Sequence, residues 1–221
     1  GLDGEVGLSF KNVVIFGSYE FYPLADKGLG SMAQIQSQLL DHIDILPENV
    51  HTFPGDLPKE TIFTFCEEYE KAIEAVGGID IQVLGIGQCG NIAMNEPGTQ
   101  PNSSTRLVIM DGNSRVDAKS LFGNIAQVPT CAITLGIDTI LQAKEVILLA
   151  FGQHKAGIVK QAIEEVADAA CPASYLQFHK NASFVIDLEA ANKLTRINHP
   201  WKVTNCEWTD QLVRRAVVWL C

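Results

Sequence analysis

Five short apolar runs rich in β-branched residues punctuate the chain: NVVIF at 12–16, IDIQVL at 79–84, RLVIM at 106–110, TCAITL at 130–135 and EVILLAF at 145–151. Each is close to continuous, which predicts strands of a parallel sheet covered on both faces. Between them the apolar spacing turns helical. Over 58–76, Ile62, Phe65, Cys66, Tyr69, Ile73 and Val76 fall on one face, with Pro58 suited to the first turn and Gly77 to the stop. Over 153–170 the stripe is Ile158, Val159, Ala162, Ile163, Val166 and Ala170. Over 208–220 it is Leu212, Val213, Ala216, Trp219 and Leu220. Alternating strands and helices predict an α/β fold with βαβ crossovers. There is no repeat and no long linker, so 1–221 reads as one domain.

The run at 79–84 leads into LGIGQCGNIAMNEPG, in which Gly85, Gly87 and Gly90 have the G-x-G-x-x-G spacing of a dinucleotide-binding turn. That motif needs a strand before it, a helix opening at the glycines and an acid about 20 residues on. The strand is present and Asp111 stands near the right distance, but Pro97 and Gly98 follow too soon for the helix. A proline in a helix interior costs about 3 kcal/mol, and the residue before it avoids the α region. Without the helix there is no dipole behind a pyrophosphate. The glycines are therefore expected to shape a turn that presents Glu96.

Composition narrows the partners. Sixteen basic and twenty-six acidic residues give a net charge of −10, and no Lys/Arg cluster exceeds a pair. That argues against a nucleic-acid groove or an anionic membrane surface, while a small anion held by a few placed donors stays compatible. No apolar run approaches a membrane span. Residues 1–10 have neither the basic nor the apolar region of a secretory signal. The six cysteines form no C-x-x-C pair and none has a His at zinc spacing. Free thiols in a reducing compartment, the cytoplasm, and no structural metal are expected.

The loop at 84–98 resembles the hallmark G-x-G-x-D-G-H-I-A-F-N-E-P of the glucosamine-6-phosphate deaminase/isomerase family. The segments 39–55, 132–156 and 172–190 resemble the family in order and spacing, so the likeness runs from about Asn12 to Trp201. It implies a doubly wound, three-layer Rossmann-like sandwich with a mostly parallel sheet. It also implies ring opening of an aminosugar phosphate, a proton shift between C2 and C1, and release of ammonia, with no organic cofactor. The end of the chain, 199–221, is more similar to bacterial proteins in which the domain is fused to a deacetylase-like domain. The resemblance therefore implies a domain truncated at its N-terminus and open to continuation at its C-terminus, with a homo-oligomer as a further expectation.

The same alignment marks departures. The family's Asp and His fall on Cys89 and Asn91, leaving Glu96 of the ring-opening group. Asn91 has no titratable proton to relay, and a thiol is a weak hydrogen-bonding replacement for a carboxylate. The Asp that takes the proton from carbon falls on Tyr19, a phenol mostly protonated at neutral pH. Its neighbour Glu20 is a stand-in only if the strand lets it face the same way. Lys155 matches a phosphate-binding lysine near a helix start, and Gly87 and Gly90 match the substrate-binding turn. Arg106 matches an arginine of a second, regulatory phosphate site, but Val108 and Ser120 replace two further basic residues there. The family's glycine-rich phosphate turn would precede residue 12.

Plainer readings stand beside these. Glu96 is also an ordinary turn glutamate, Cys89 an inert thiol, Asn91 a turn-capping amide and Lys155 a solvated lysine. Tyr19 either stacks on a sugar or fills a gap. His154 neighbours Lys155 and so the phosphate reading, whereas His42 and His179 read as structural. Two functions result: an aminosugar-phosphate isomerase/deaminase domain, or a catalytically degenerate domain that binds the sugar phosphate or serves a larger deacetylase-like protein as an assembly platform. Lactone hydrolysis on the same fold is a weaker third.

Overall fold

The computed structural model describes residues 8–220. The first seven residues, part of the leader reading, and Cys221, read as a free thiol, lie outside them. In chain order the elements are β1 (Ile15–Phe16), β2 (Tyr19–Tyr22), α1 (Ser31–Gln38), β3 (Val50–His51), α2 (Ile62–Ala75), β4 (Ile81–Gly85) and β5 (Arg106–Ile109). They continue as α3 (Gly112–Phe122), β6 (Cys131–Thr134), α4 (Ile137–Leu141), β7 (Glu145–Ala150), α5 (Ala156–Glu164), β8 (Ala182–Ile186), α6 (Thr195–Asn198) and α7 (Asp210–Leu220).

The predicted runs become strands because their β-branched side chains pack between layers. Strands β4, β7 and β8 form a parallel sheet in the order β4-β7-β8, and β1 pairs with β3, also parallel. On the inner face of the first sheet, Leu84, Val146, Leu148 and Ala150 are buried against α2, α4 and α5. This is the α/β architecture with mostly parallel strands that the alternation predicts.

Two expectations about the strands need correction. Strands β5 and β6 are not parallel members: β2-β6-β5 is an antiparallel sheet, with Tyr19 opposite Thr134 and Arg106 also opposite Thr134. An apolar run is buried alike in either direction, so its composition carries no sign of strand sense. Nor is the parallel sheet covered on both faces, since Ile81 and Val83 of β4 are 56% and 54% exposed.

The helices differ from expectation mainly at their ends. Helix α2 buries Ile62, Cys66, Tyr69 and Ile73, and stops at Gly77 and Gly78, whose φ angles of +90° and +85° let their N–H groups return to Glu74 and Ile73. Helix α5 ends at Glu164, well short of 170. The Asp168 carboxylate accepts from the Ala170 N–H at 2.7 Å, a local turn that competes with further helix. Glu70 of α2 accepts from Thr105 N at 2.8 Å and Thr139 Oγ1 at 2.7 Å, fixing the entry to β5 against α4. No helix of the described residues is long and apolar enough to cross a membrane.

A second, smaller core of Phe21, Leu24, Met94, Met110, Phe122, Val128 and Ala132 lies between β2-β6-β5 and α3. The loop between β4 and β5 contributes Ile92 to the main core and Met94 to this one, and so bridges the two.

Candidate functional site

The loop after β4 opens with no helix, as Pro97 and Gly98 require. Gly87 N–H donates to Asn91 O at 2.9 Å and Gly90 N–H to Gly87 O at 3.0 Å, closing a tight turn. Glycine is required at Gly90 and favoured at Gly87, where the Asn91 amide packs close. A methyl carbon on Gly87 would sit 1.8 Å from Asn91 Oδ1, and one on Gly90 (φ +81°) would sit 2.5 Å from Cys171 Sγ.

The rest of the loop is pinned from below. Met94 N–H donates to Thr134 Oγ1 at 3.1 Å, and the fully buried Asn95 amide donates to Ile92 O and Leu135 O. Ala93 is held at φ +48° between these anchors. A left-handed alanine costs about 1–2 kcal/mol, and such strain persists where the surroundings over-determine it.

Beside the loop is a cavity of about 430 Å³, in the size range of small-ligand sites. Its walls include Tyr19 at the start of β2, Gln34 of α1, the end of β4, Gly87 and Asn91 of the loop, and Ser114, Asp117 and Ser120 of α3. The serines and aspartate were not singled out from the sequence. Their i, i+3, i+6 spacing on one helix face is the signal that could have found them.

Glu96 does not line the cavity, but Ser114, which does, lies beside its carboxylate. Glu96 Oε1 accepts from Asp111 N–H at 3.1 Å, and Oε2 is buried with no hydrogen-bond partner among the described residues. Burial raises the Glu96 carboxyl above its ordinary range; Ser114 and the Asp111 N–H oppose this, and the charges of Asp111 and Asp117 add to it. The folded state thus favours the protonated form. Stability from this group is present below the ordinary carboxylate range and is lost as pH rises through the raised value. Glu96→Gln keeps the Oε1 acceptor and removes the charge. It is expected to raise the melting temperature at pH 7, with the gain shrinking toward zero at acid pH; a gain independent of pH would contradict the assignment.

The other residues singled out from the sequence divide. Tyr19 is half-buried in the cavity wall, and its phenol is raised further by burial and by the charge of Glu20. It keeps its proton, so it can donate a hydrogen bond but is poorly suited to act as a base. Glu20 is no stand-in: its buried carboxylate accepts from Phe21 N–H at 2.9 Å, Ser31 N–H at 2.8 Å and Met32 N–H at 2.9 Å. It caps the first turn of α1, where Gly30 offers no side chain. Cys89 receives Asn113 Nδ2 at 3.4 Å and does not line the cavity.

Lys155 Nζ donates to Ile86 O at 2.8 Å, reaching the cavity rim through Ile86 rather than lining it. His154 is exposed and also outside the lining. Arg106 turns inward, with bonds to Asn95 Oδ1 at 3.0 Å, Ser104 O at 3.1 Å and Thr99 Oγ1 at 3.4 Å, so it braces the Glu96 loop. His179 bonds Ala143 O at 2.7 Å and His42 bonds Ser37 O at 3.1 Å, both structural contacts.

Comparison with known proteins places this fold and loop in a family. The model of a family described as glucosamine-6-phosphate isomerases/6-phosphogluconolactonase matches residues 3–185. The chain belongs to this family. It is 44% identical over 189 residues to glucosamine-6-phosphate deaminase of Shewanella woodyi, covering 85% of this chain and 71% of that one. It is 51% identical over 218 residues to a glucosamine-6-phosphate deaminase-like protein of Bacteroides thetaiotaomicron, covering 98% of this chain but only 33% of that protein. The chain thus spans a third of that relative's length.

Among solved structures of the family, a monomeric glucosamine-6-phosphate deaminase superposes with a TM-score of 0.81 at 34% identity, over 84% of this chain and 77% of its own. The 6-phosphogluconolactonase of Trypanosoma brucei superposes at 0.63 with 24% identity, over 81% of this chain and 73% of its own, and shares the fold alone.

Proposed function

We propose that this domain binds a hexosamine phosphate, glucosamine 6-phosphate, in the cavity beside the Gly87–Asn91 turn and deaminates it slowly. One observation carries the reading. The two side chains that line the cavity where the family pattern has a base and a histidine are a phenol raised above its ordinary range and an amide. Tyr19 can donate a hydrogen bond to a sugar oxygen but gives up its proton poorly. Asn91 can orient a hydroxyl but relays nothing. Each positioned acid or base is worth about 10²–10⁴-fold, so binding outlasts efficient turnover.

The buried, unpartnered Oε2 of Glu96 supports residual chemistry. A buried carboxyl whose pKa is raised holds a proton more readily than an exposed one, which suits it to exchange a proton with the opened sugar. Lys155 is the candidate for the phosphate, standing at the start of the nine-residue α5, where exposed N–H groups favour an anion. On this reading the domain works in the cytoplasm as one part of a longer polypeptide joined to a deacetylase-like domain, in keeping with the greater length of the Bacteroides relative.

The test is thermal unfolding with and without glucosamine 6-phosphate. A ligand at 100 times its Kd stabilises the native state by about 2.7 kcal/mol, so the melting temperature should rise with concentration. No rise at millimolar ligand would remove the sugar-phosphate reading.

A further inference from the structure

The cavity lining contains one formally charged side chain, Asp117, and no lysine or arginine. Gln88 Nε2 donates to Asp117 Oδ1 at 2.9 Å, which steadies the carboxylate against the glycine turn. No donor among the described residues bonds Oδ2. On the same face of α3, Ser114 and Ser120 stand three residues to either side, and Asn91 and Tyr19 add neutral polar groups to the lining. Asp117 also lies close enough to Glu96 for its charge to be felt there. The lining therefore offers neutral donors and acceptors suited to hydroxyls, with a single negative point among them. It suits a polyhydroxylated ligand that carries one positive group.

We infer that Asp117 is the specificity-determining residue of this cavity: its free carboxylate oxygen accepts the ammonium group of an aminosugar, and so selects it over the hydroxy or N-acetyl analogue. The inference rests on the cavity being the sugar site proposed above. An ammonium–carboxylate hydrogen bond is stronger than a neutral one, while the exposure of Asp117 to solvent keeps the gain modest. A hexose phosphate with a hydroxyl in place of the amine keeps the other contacts and loses this one.

Calorimetric titration at pH 7 with glucosamine 6-phosphate and glucose 6-phosphate separates the outcomes. The native chain is expected to bind the amine about tenfold more tightly. Asp117→Asn should bind the two sugars within about twofold of each other, with its affinity for glucose 6-phosphate unchanged. Gln88→Ala, which leaves the charge in place, should retain the preference. Equal binding of both sugars by the native chain overturns this inference and leaves the sugar site standing. A preference that survives Asp117→Asn does the same. Failure to bind either sugar overturns both. The native-chain comparison needs no variant to fold.

Discussion

The double variant Cys89→Asp, Asn91→His is expected to release ammonia from glucosamine 6-phosphate about 10²-fold faster than the native chain. The two positions lie on either side of Gly90 in a turn already closed by the Gly87 and Gly90 backbone bonds, so the turn does not depend on either side chain. Asn91 lines the cavity, so a histidine there would bring an imidazole to the cavity wall. Cys89 faces Asn113, whose amide would hold a carboxylate as readily as a sulfur. The variant puts an acid and a proton-relaying ring beside the Glu96 loop, where the native residues offer neither. Steady-state ammonia release checks it, alongside melting temperatures to establish that the variant folds. No gain in a folded variant would mean that these positions do not limit turnover.

Leu148→Ala is expected to lower the unfolding free energy by about 3–4 kcal/mol, in the upper part of the range for buried leucines. Leu148 is fully buried at the middle of β7, in register with Leu84 of β4 on one side and Phe184 of β8 on the other. Its removal leaves a void that flanking strands cannot close, because their hydrogen bonds to β7 fix the spacing. Val185→Ser, on the open face of β8, should change stability by no more than about 0.5 kcal/mol. Denaturant unfolding of the two variants checks both values. A similar cost for each would mean that the sheet is not buried on the face assigned.

Much of the scaffold is legible before any coordinates. EVILLAF marks β7 to within one residue, because its β-branched and leucine side chains favour a strand whose alternate residues Val146, Leu148 and Ala150 are buried. Pro97 and Gly98 exclude a helix after the glycines, and the turn follows. Strand direction is not legible, and so β5 and β6 were expected to run parallel. β2, with the sequence YEFY, has no apolar run to betray it; Glu20 is buried there only because the N–H groups of α1 receive its carboxylate. That pairing joins residues eleven and twelve apart through a fold the sequence does not display.

Of the loop residues singled out from the motif, Asn91 lines the cavity and Glu96 lies beside Ser114 of that lining. Their partners on α3 were not legible in the sequence: Ser114, Asp117 and Ser120 look like an ordinary solvated face until β5 and β6 set that helix against the loop. Arg106 shows the reverse case. It was expected at a second phosphate site, and its guanidinium is taken up by Asn95, Ser104 and Thr99. Burial then lowers its pKa from the ordinary value, as expected for a cation held without a carboxylate.

Ammonia release from glucosamine 6-phosphate bears most directly on the claim that this domain binds an aminosugar phosphate better than it transforms one. The assay sets this chain beside the Shewanella woodyi deaminase under identical conditions, with calorimetric binding on the same preparation. Saturable binding, with ammonia release about 10³-fold or more below that of the relative, is the predicted result. Release within about tenfold of the relative would contradict it, since Tyr19 and Asn91 would then have to support chemistry that a phenol and an amide cannot supply.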